Sequence, residues 1–176
     1  MHVSGQAAKN SLRFVATAIA LACLSLSARA EAPPKFADYP VRVYAGKIAK
    51  PRLATPDLRA RRETFLAAAD DAKINAAGRY IVVKLPCGST CVAPTLLDAR
   101  TGNIIELFTV SGWHEVSDDF DPVVSRANSR MIVFRGARNE AGIVGNHFYL
   151  IEERGRLKHL HTQDTQANFE TSPKIK

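Results

Sequence analysis

Long apolar runs are missing: no stretch of about 18 apolar residues occurs, which excludes a polytopic membrane protein. Glycine-rich phosphate loops are missing too, as is any Gly-x-Ser-x-Gly elbow that would mark a hydrolase nucleophile. Cysteine is scarce, at three in 176 residues, and tryptophan occurs once. With 46% hydrophobic and 23% charged residues, the chain has neither the apolar poverty nor the charge excess of a disordered protein. A chain of 176 residues fits one domain and leaves little room for two.

The first thirty residues carry their own pattern. Met1 to Arg13 holds Lys9 and Arg13 and no acid, and Phe14 to Leu26 is uncharged and mostly apolar. Ala28-Arg29-Ala30 then places small residues at the two positions a signal peptidase reads. A membrane anchor would need more length, since the 13 residues from Phe14 to Leu26 span about 20 Å of a roughly 30 Å hydrocarbon core. The segment 1–30 is therefore expected to be a signal peptide cleaved after Ala30. Lipid attachment at Cys23 is the alternative exit. The preceding Ala20-Leu21-Ala22 places leucine two residues before that cysteine rather than three, which disfavours it.

Export changes the charge. Lys9, Arg13 and Arg29 leave with the leader, so 21 basic and 17 acidic residues remain, a net +4 over 146 residues. That is weak ground for nucleic-acid binding, and no nucleic-acid partner is expected.

Two cysteines remain, in Pro86-Cys87-Gly88-Ser89-Thr90-Cys91. In an oxidising compartment Cys87 and Cys91 are expected to form a disulfide that fixes a tight turn. Redox catalysis of the thioredoxin kind uses two intervening residues at a helix N-terminus. Here three intervene, and Val92 to Leu97 contains Pro94 and no helix start. A zinc site would need ligands the sequence does not offer nearby, so no metal and no cofactor are expected.

Residues 31–54 read as an extended Pro/Ala-rich lead-in with one short strand, Val41 to Tyr44. Thr55-Pro56-Asp57 is a helix start, with a capping hydroxyl, proline in the first turn and an acid at the positive end of the dipole. The spacing of Leu58, Phe65, Leu66, Ala69 and Ala72 predicts one amphipathic helix from Pro56 to about Lys73. Arg59, Arg61 and Arg62 then read as its solvated face. Strands are expected at 79–85, 94–98 and 103–110 as one antiparallel meander, and at 130–134, 147–151 and 156–160 as a second. The fold class is thus α+β: one N-terminal helix packed on a mostly antiparallel sheet of about six or seven strands, in a single domain over 55–162. Residues 163–176 read as a disordered polar tail.

Three motifs stand in order: Asn75-x-x-Gly78-x-Tyr80, Cys87-Gly88-x-x-Cys91 and Asp98-x-x-Thr101-Gly102. With the later runs Phe134 to Glu140 and Gly155 to Lys158, they resemble a group of small exported proteobacterial proteins of unknown function. The resemblance spans roughly residues 57–160. It implies export and a β-rich domain, and it brings no activity.

Few constellations could carry chemistry. Ser89, Asp98 and His114 could serve a small periplasmic hydrolase as nucleophile, acid and base. Asp118, Asp119 and Asp121 lack the spacing of a calcium loop. His159 and His161, two apart on a strand, are expected on one face, where they could clamp a metal or simply sit exposed at a sheet edge. Trp113 and His114 are the candidate binding surface, or else Trp113 plugs the core. The leading expectation is a periplasmic or secreted, non-enzymatic binding or interaction module of the cell envelope. Its partner would be an envelope protein or cell-surface component, with no transmembrane segment in the mature chain.

Overall fold

The structure, a computed structural model, describes residues 32–169 except 72 and 115, together with residue 175. The expected leader, its cleavage site and Cys23 lie outside the described residues. Among the described residues the chain forms one antiparallel sheet of eight strands: β1 (Tyr80–Gly88), β2 (Cys91–Asp98), β3 (Ile104–Glu106), β4 (Val110–Ser111), β5 (Val123–Ser125), β6 (Met131–Arg138), β7 (Ala141–Ile151) and β8 (Leu157–Asp164). The order is β1-β2-β4-β6-β7-β8, with β3 added to β2 and β5 added to β6. The β-rich, mostly antiparallel class is what is found. No helix among the described residues is long and apolar enough to cross a membrane.

Several elements differ from their sequence signals. The helix expected over 56–73 is two short ones, α1 (Pro56–Ala60) and α2 (Arg62–Asp70). Thr55 caps α1, its hydroxyl accepting from the Leu58 N–H at 3.2 Å. Arg61 then leaves the helical region at φ −102°, ψ 21°. Its N–H is shared between the carbonyls of Asp57 and Leu58 at 3.3 and 3.2 Å, the tightening of a helix end. Similarly, the strand expected over 103–110 splits into β3 and β4. Between them Phe108 turns inward, its ring 4.7 Å from that of Phe134 and 5.6 Å from that of Tyr149. The interruption lets β4 pair with β2 at Cys91–Val92 and with β6 at Ala137–Arg138, so two residues join the two halves of the sheet.

The lead-in holds no strand at 41–44. It is an extended strap whose Val41 N–H donates to Asn128 O at 2.9 Å and whose Tyr44 N–H donates to Gly78 O at 2.7 Å. At the other terminus β8 runs to Asp164. Phe169 is buried, 5.2 Å from the Phe120 ring and under the Arg135 guanidinium at 5.3 Å. The tail expected from residue 163 therefore begins as packed structure, because an aromatic in its polar sequence finds a cation and a ring to cover.

Both faces of the sheet are apolar, which explains the unbroken hydrophobic runs of β2 and β6. One face carries Tyr80, Leu96, Val110, Ile132, Phe134, Tyr149 and Ile151. On the other, Leu58 and Phe65 of the helices cover Ile81, Val83, Leu85 and Leu97, while Phe36 covers Met131, Val133 and Phe148. Residues of both edge strands, Tyr80 of β1 and Leu157 of β8, meet in the first cluster, so the sheet curls around it. Gly155, at φ 75°, closes that curl: a Cβ there would stand 2.3 Å from Ile105 Cδ1.

Candidate functional site

The motifs that stand out in the sequence gather at turns. Cys87 and Cys91 are disulfide-bonded, their Cα atoms 5.0 Å apart, and they close the β1–β2 hairpin around Ser89 and Thr90. Residues 86–89 are exposed, so no side-chain cover holds this turn. The Gly112 N–H donates to Thr90 O at 3.2 Å and fastens the hairpin tip to the segment carrying Trp113 and His114. Trp113 is half-buried, packed on the inner core and 5.8 Å from the Phe120 ring, whereas His114 is exposed.

Asp98 serves the opposite end of the same hairpin. It is 5% exposed, accepts the Arg100 N–H at 2.9 Å and pairs with Arg79 Nε at 3.4 Å. Its carbonyl takes the Gly102 N–H at 2.8 Å, so Asp98-x-x-Thr101-Gly102 is the chemistry of a turn. Asn75 acts likewise, its Oδ1 accepting from Val82 N at 2.7 Å. Seven residue steps of extended strand lead from Cys91 to Asp98, about 23 Å at 3.3 Å per step. Ser89 and Asp98 therefore sit at opposite ends of β2, and the structure does not bring Ser89, Asp98 and His114 together.

The histidine pair is also separated. A bulge between Phe148 and Tyr149 makes His161 the partner of Phe148 and His159 the partner of Tyr149. Since Phe148 and Tyr149 point to opposite faces, so do the two histidines, and the expected common face is lost. His159 instead donates from Nε2 to Thr162 Oγ1 at 2.9 Å, and the Thr162 hydroxyl donates to His147 Nδ1 at 2.9 Å. His147 Nε2–H is shared between Gly136 O and Ile143 O at 2.9 and 3.0 Å. This order follows because carbonyls only accept, which fixes the proton on Nε2 of His147. Burial, and then the Arg138 charge, push the His147 pKa down and keep the ring neutral. Of the acidic loop, Asp121 pairs with Lys84 at 2.9 Å and accepts the Val123 N–H. Among the described residues no three His, Cys, Asp or Glu side chains gather as a metal would require.

A cleft of about 520 Å³ opens at the end of the sheet away from the disulfide. The strap at 41–45, the turn at 77–80, Arg100, Arg130 and residues 151–153 line it. Backbone hydrogen bonds lock these segments together: Tyr44 to Gly78 O, Gly78 to Ala127 O at 2.7 Å and Ile151 to Arg130 O at 2.8 Å. Gly78, at φ 74°, allows the strap its close approach, since a Cβ would lie 2.5 Å from Arg42 O.

Four arginines face this cleft. Arg79 is held by Asp98 and donates from Nη2 to the Tyr80 hydroxyl at 2.8 Å. Burial opposes its charge, but Tyr80, Asp98 and Glu153 outweigh that and raise its pKa. The Arg100 guanidinium lies 5.9 Å over the Tyr44 ring. Arg42 and Arg130 are exposed, and neither has a carboxylate within ion-pair distance among the described residues. Of the two acids at the rim, Glu152 already pairs with Arg156 at 3.6 Å. Reasoning from sequence misses this site because its cations come from four separate segments with no shared motif. The surplus of positive charge was the one available signal. No protein-family model, no curated protein and no solved structure matches this chain.

Proposed function

We propose that the chain is exported by a signal peptide cleaved after Ala30, and that the mature protein is a non-enzymatic binding module of the cell envelope, periplasmic or secreted. The observation that carries this reading is the open cleft of about 520 Å³, whose size suits a small molecule or the end of a polymer. Its walls offer guanidinium groups, tyrosine and aliphatic side chains, which are groups that hold a ligand. Glu152 and Glu153 stand at its rim, and among the described residues no serine, cysteine or histidine lines it to attack a ligand. The disulfide agrees with an oxidising compartment.

Native mass spectrometry of the mature protein, purified from the envelope fraction, tests the reading. The expected result is an N-terminus at Glu31 and a retained small ligand that is released chemically unchanged. That ligand should be lost in Tyr44→Ala. Recovery of the ligand in cleaved form would make the protein an enzyme, and an uncleaved N-terminus would end the export proposal.

A further inference from the structure

We infer that the cleft recognises an oxyanion, a carboxylate or phosphate group carried on a ring-shaped or apolar body. This rests on the binding reading above and adds the chemistry of the ligand. Charge is the first argument. Arg42, Arg79, Arg100 and Arg130 face the cleft with Glu152 and Glu153. Glu152 is paired with Arg156, and Glu153 acts on Arg79, which Asp98 also holds. Two cations, Arg79 and Arg156, thus answer three acids, Asp98, Glu152 and Glu153, while Arg42, Arg100 and Arg130 have no ion-pair partner among the described residues, which leaves the cleft a surplus of two positive charges. Arginines in excess of acids around a concave surface suit the two-oxygen edge of a carboxylate or phosphate, which a guanidinium can grip with paired N–H groups.

The second argument is shape. A bare ion fills a small part of about 520 Å³. Val41, Val43 and Ile151 supply aliphatic wall, and the Tyr44 ring, with Arg100 5.9 Å over it, adds aromatic wall beside a cation, which suits a ligand with an apolar body and an anionic group. Arg79 is the positioning residue: its contacts to Asp98 and the Tyr80 hydroxyl fix the floor of the cleft and leave the other three arginines free for the ligand.

Isothermal titration of the purified protein with phenyl phosphate, benzoate and benzamide tests this, since the three share a ring and differ in charge. The expected result is binding of at least one anion ten-fold or more tighter than benzamide, weakening as salt is raised. The two anions distinguish a phosphate from a carboxylate ligand, and either supports the inference. Arg42→Glu/Arg130→Glu should lose the anion at least ten-fold, and Arg42→Gln should lose part of it. Both side chains are exposed, so the fold survives the change. Trp113→Ala should bind as the parent does. Equal affinity for all three probes, no binding of either anion, or unchanged anion binding in the double variant overturns the oxyanion assignment. If the native mass experiment still recovers an unchanged ligand, the binding reading stands without it; if that also recovers nothing, both fail.

Discussion

At one end of the sheet a covalent bond closes a hairpin turn at Ser89 and Thr90; at the other, segments far apart in sequence are drawn together by backbone hydrogen bonds and leave a cleft between them. The disulfide end is local. Cys87 and Cys91 are four apart, and residues 86–89 have no apolar cover that could hold the turn by packing. The arginine end is non-local, with Tyr44 bonded to Gly78 and Gly78 to Ala127. It needs no crosslink because it stands on the inner core through Tyr80 and Ile151, which are 1% and 2% exposed. A disulfide here marks where packing is absent, and the surface that can hold a ligand lies where packing is strong.

The largest effect should come from breaking the arginine end at its foundation. Tyr80→Ala removes a buried ring and is expected to cost about 3–5 kcal/mol in urea unfolding, with the Cys87–Cys91 bond still intact in the native protein. Removing the disulfide should cost less. Cys87→Ser/Cys91→Ser deletes a short-loop constraint of about 2 kcal/mol on the chain-entropy model and should leave ligand binding unchanged. If that double variant loses binding, the two ends are coupled and the comparison fails.

A third effect depends on pH. His147 is buried and its folded-state pKa is lowered, whereas in the unfolded chain it titrates near 6.5. Below that value the unfolded state binds a proton that the folded state refuses. Stability should therefore fall as pH drops through about 6.5, with a slope of at most about 1.4 kcal/mol per pH unit for one proton. His147→Gln should lower stability at pH 8 and flatten this dependence, as read from urea midpoints across pH 5 to 8. The smallest effect is a gain. Asn139 and Glu140 close the β6–β7 hairpin at φ 50° and 60°, a left-handed pair that asparagine tolerates and glutamate does not favour. Glu140→Gly should raise stability by up to about 1 kcal/mol, a few degrees in Tm.

What the sequence revealed was local chemistry. The Cys87–Cys91 turn, the Thr55 cap and the runs of β6 and β7 all announce themselves within a few residues, since capping, turn geometry and β-branching act over that range. The misses share one physical cause, which is tertiary override. A single bulge opposite Phe148 and Tyr149 sends His159 and His161 to opposite faces, and nothing in the alternation of β8 signals it. Phe108 lies in the break at 107–109 between β3 and β4, where its ring packs against Phe134 and Tyr149, a contact between segments far apart in sequence that the strand signal does not carry. The strap at 41–44 reads as a strand, yet its partners are a turn and a loop rather than a strand. The cleft is the extreme case, since Arg42, Arg79, Arg100 and Arg130 become neighbours only once every one of those long-range contacts is made.

The most direct test of the account is an amide chemical-shift titration of the 15N-labelled protein with phenyl phosphate. The account predicts that shifts concentrate at Arg42 to Ala45, Ala77 to Tyr80, Arg100 and Arg130, while Cys87, Cys91, Trp113 and His114 stay in place. Shifts centred on Trp113 and His114, with the arginine end silent, would contradict it.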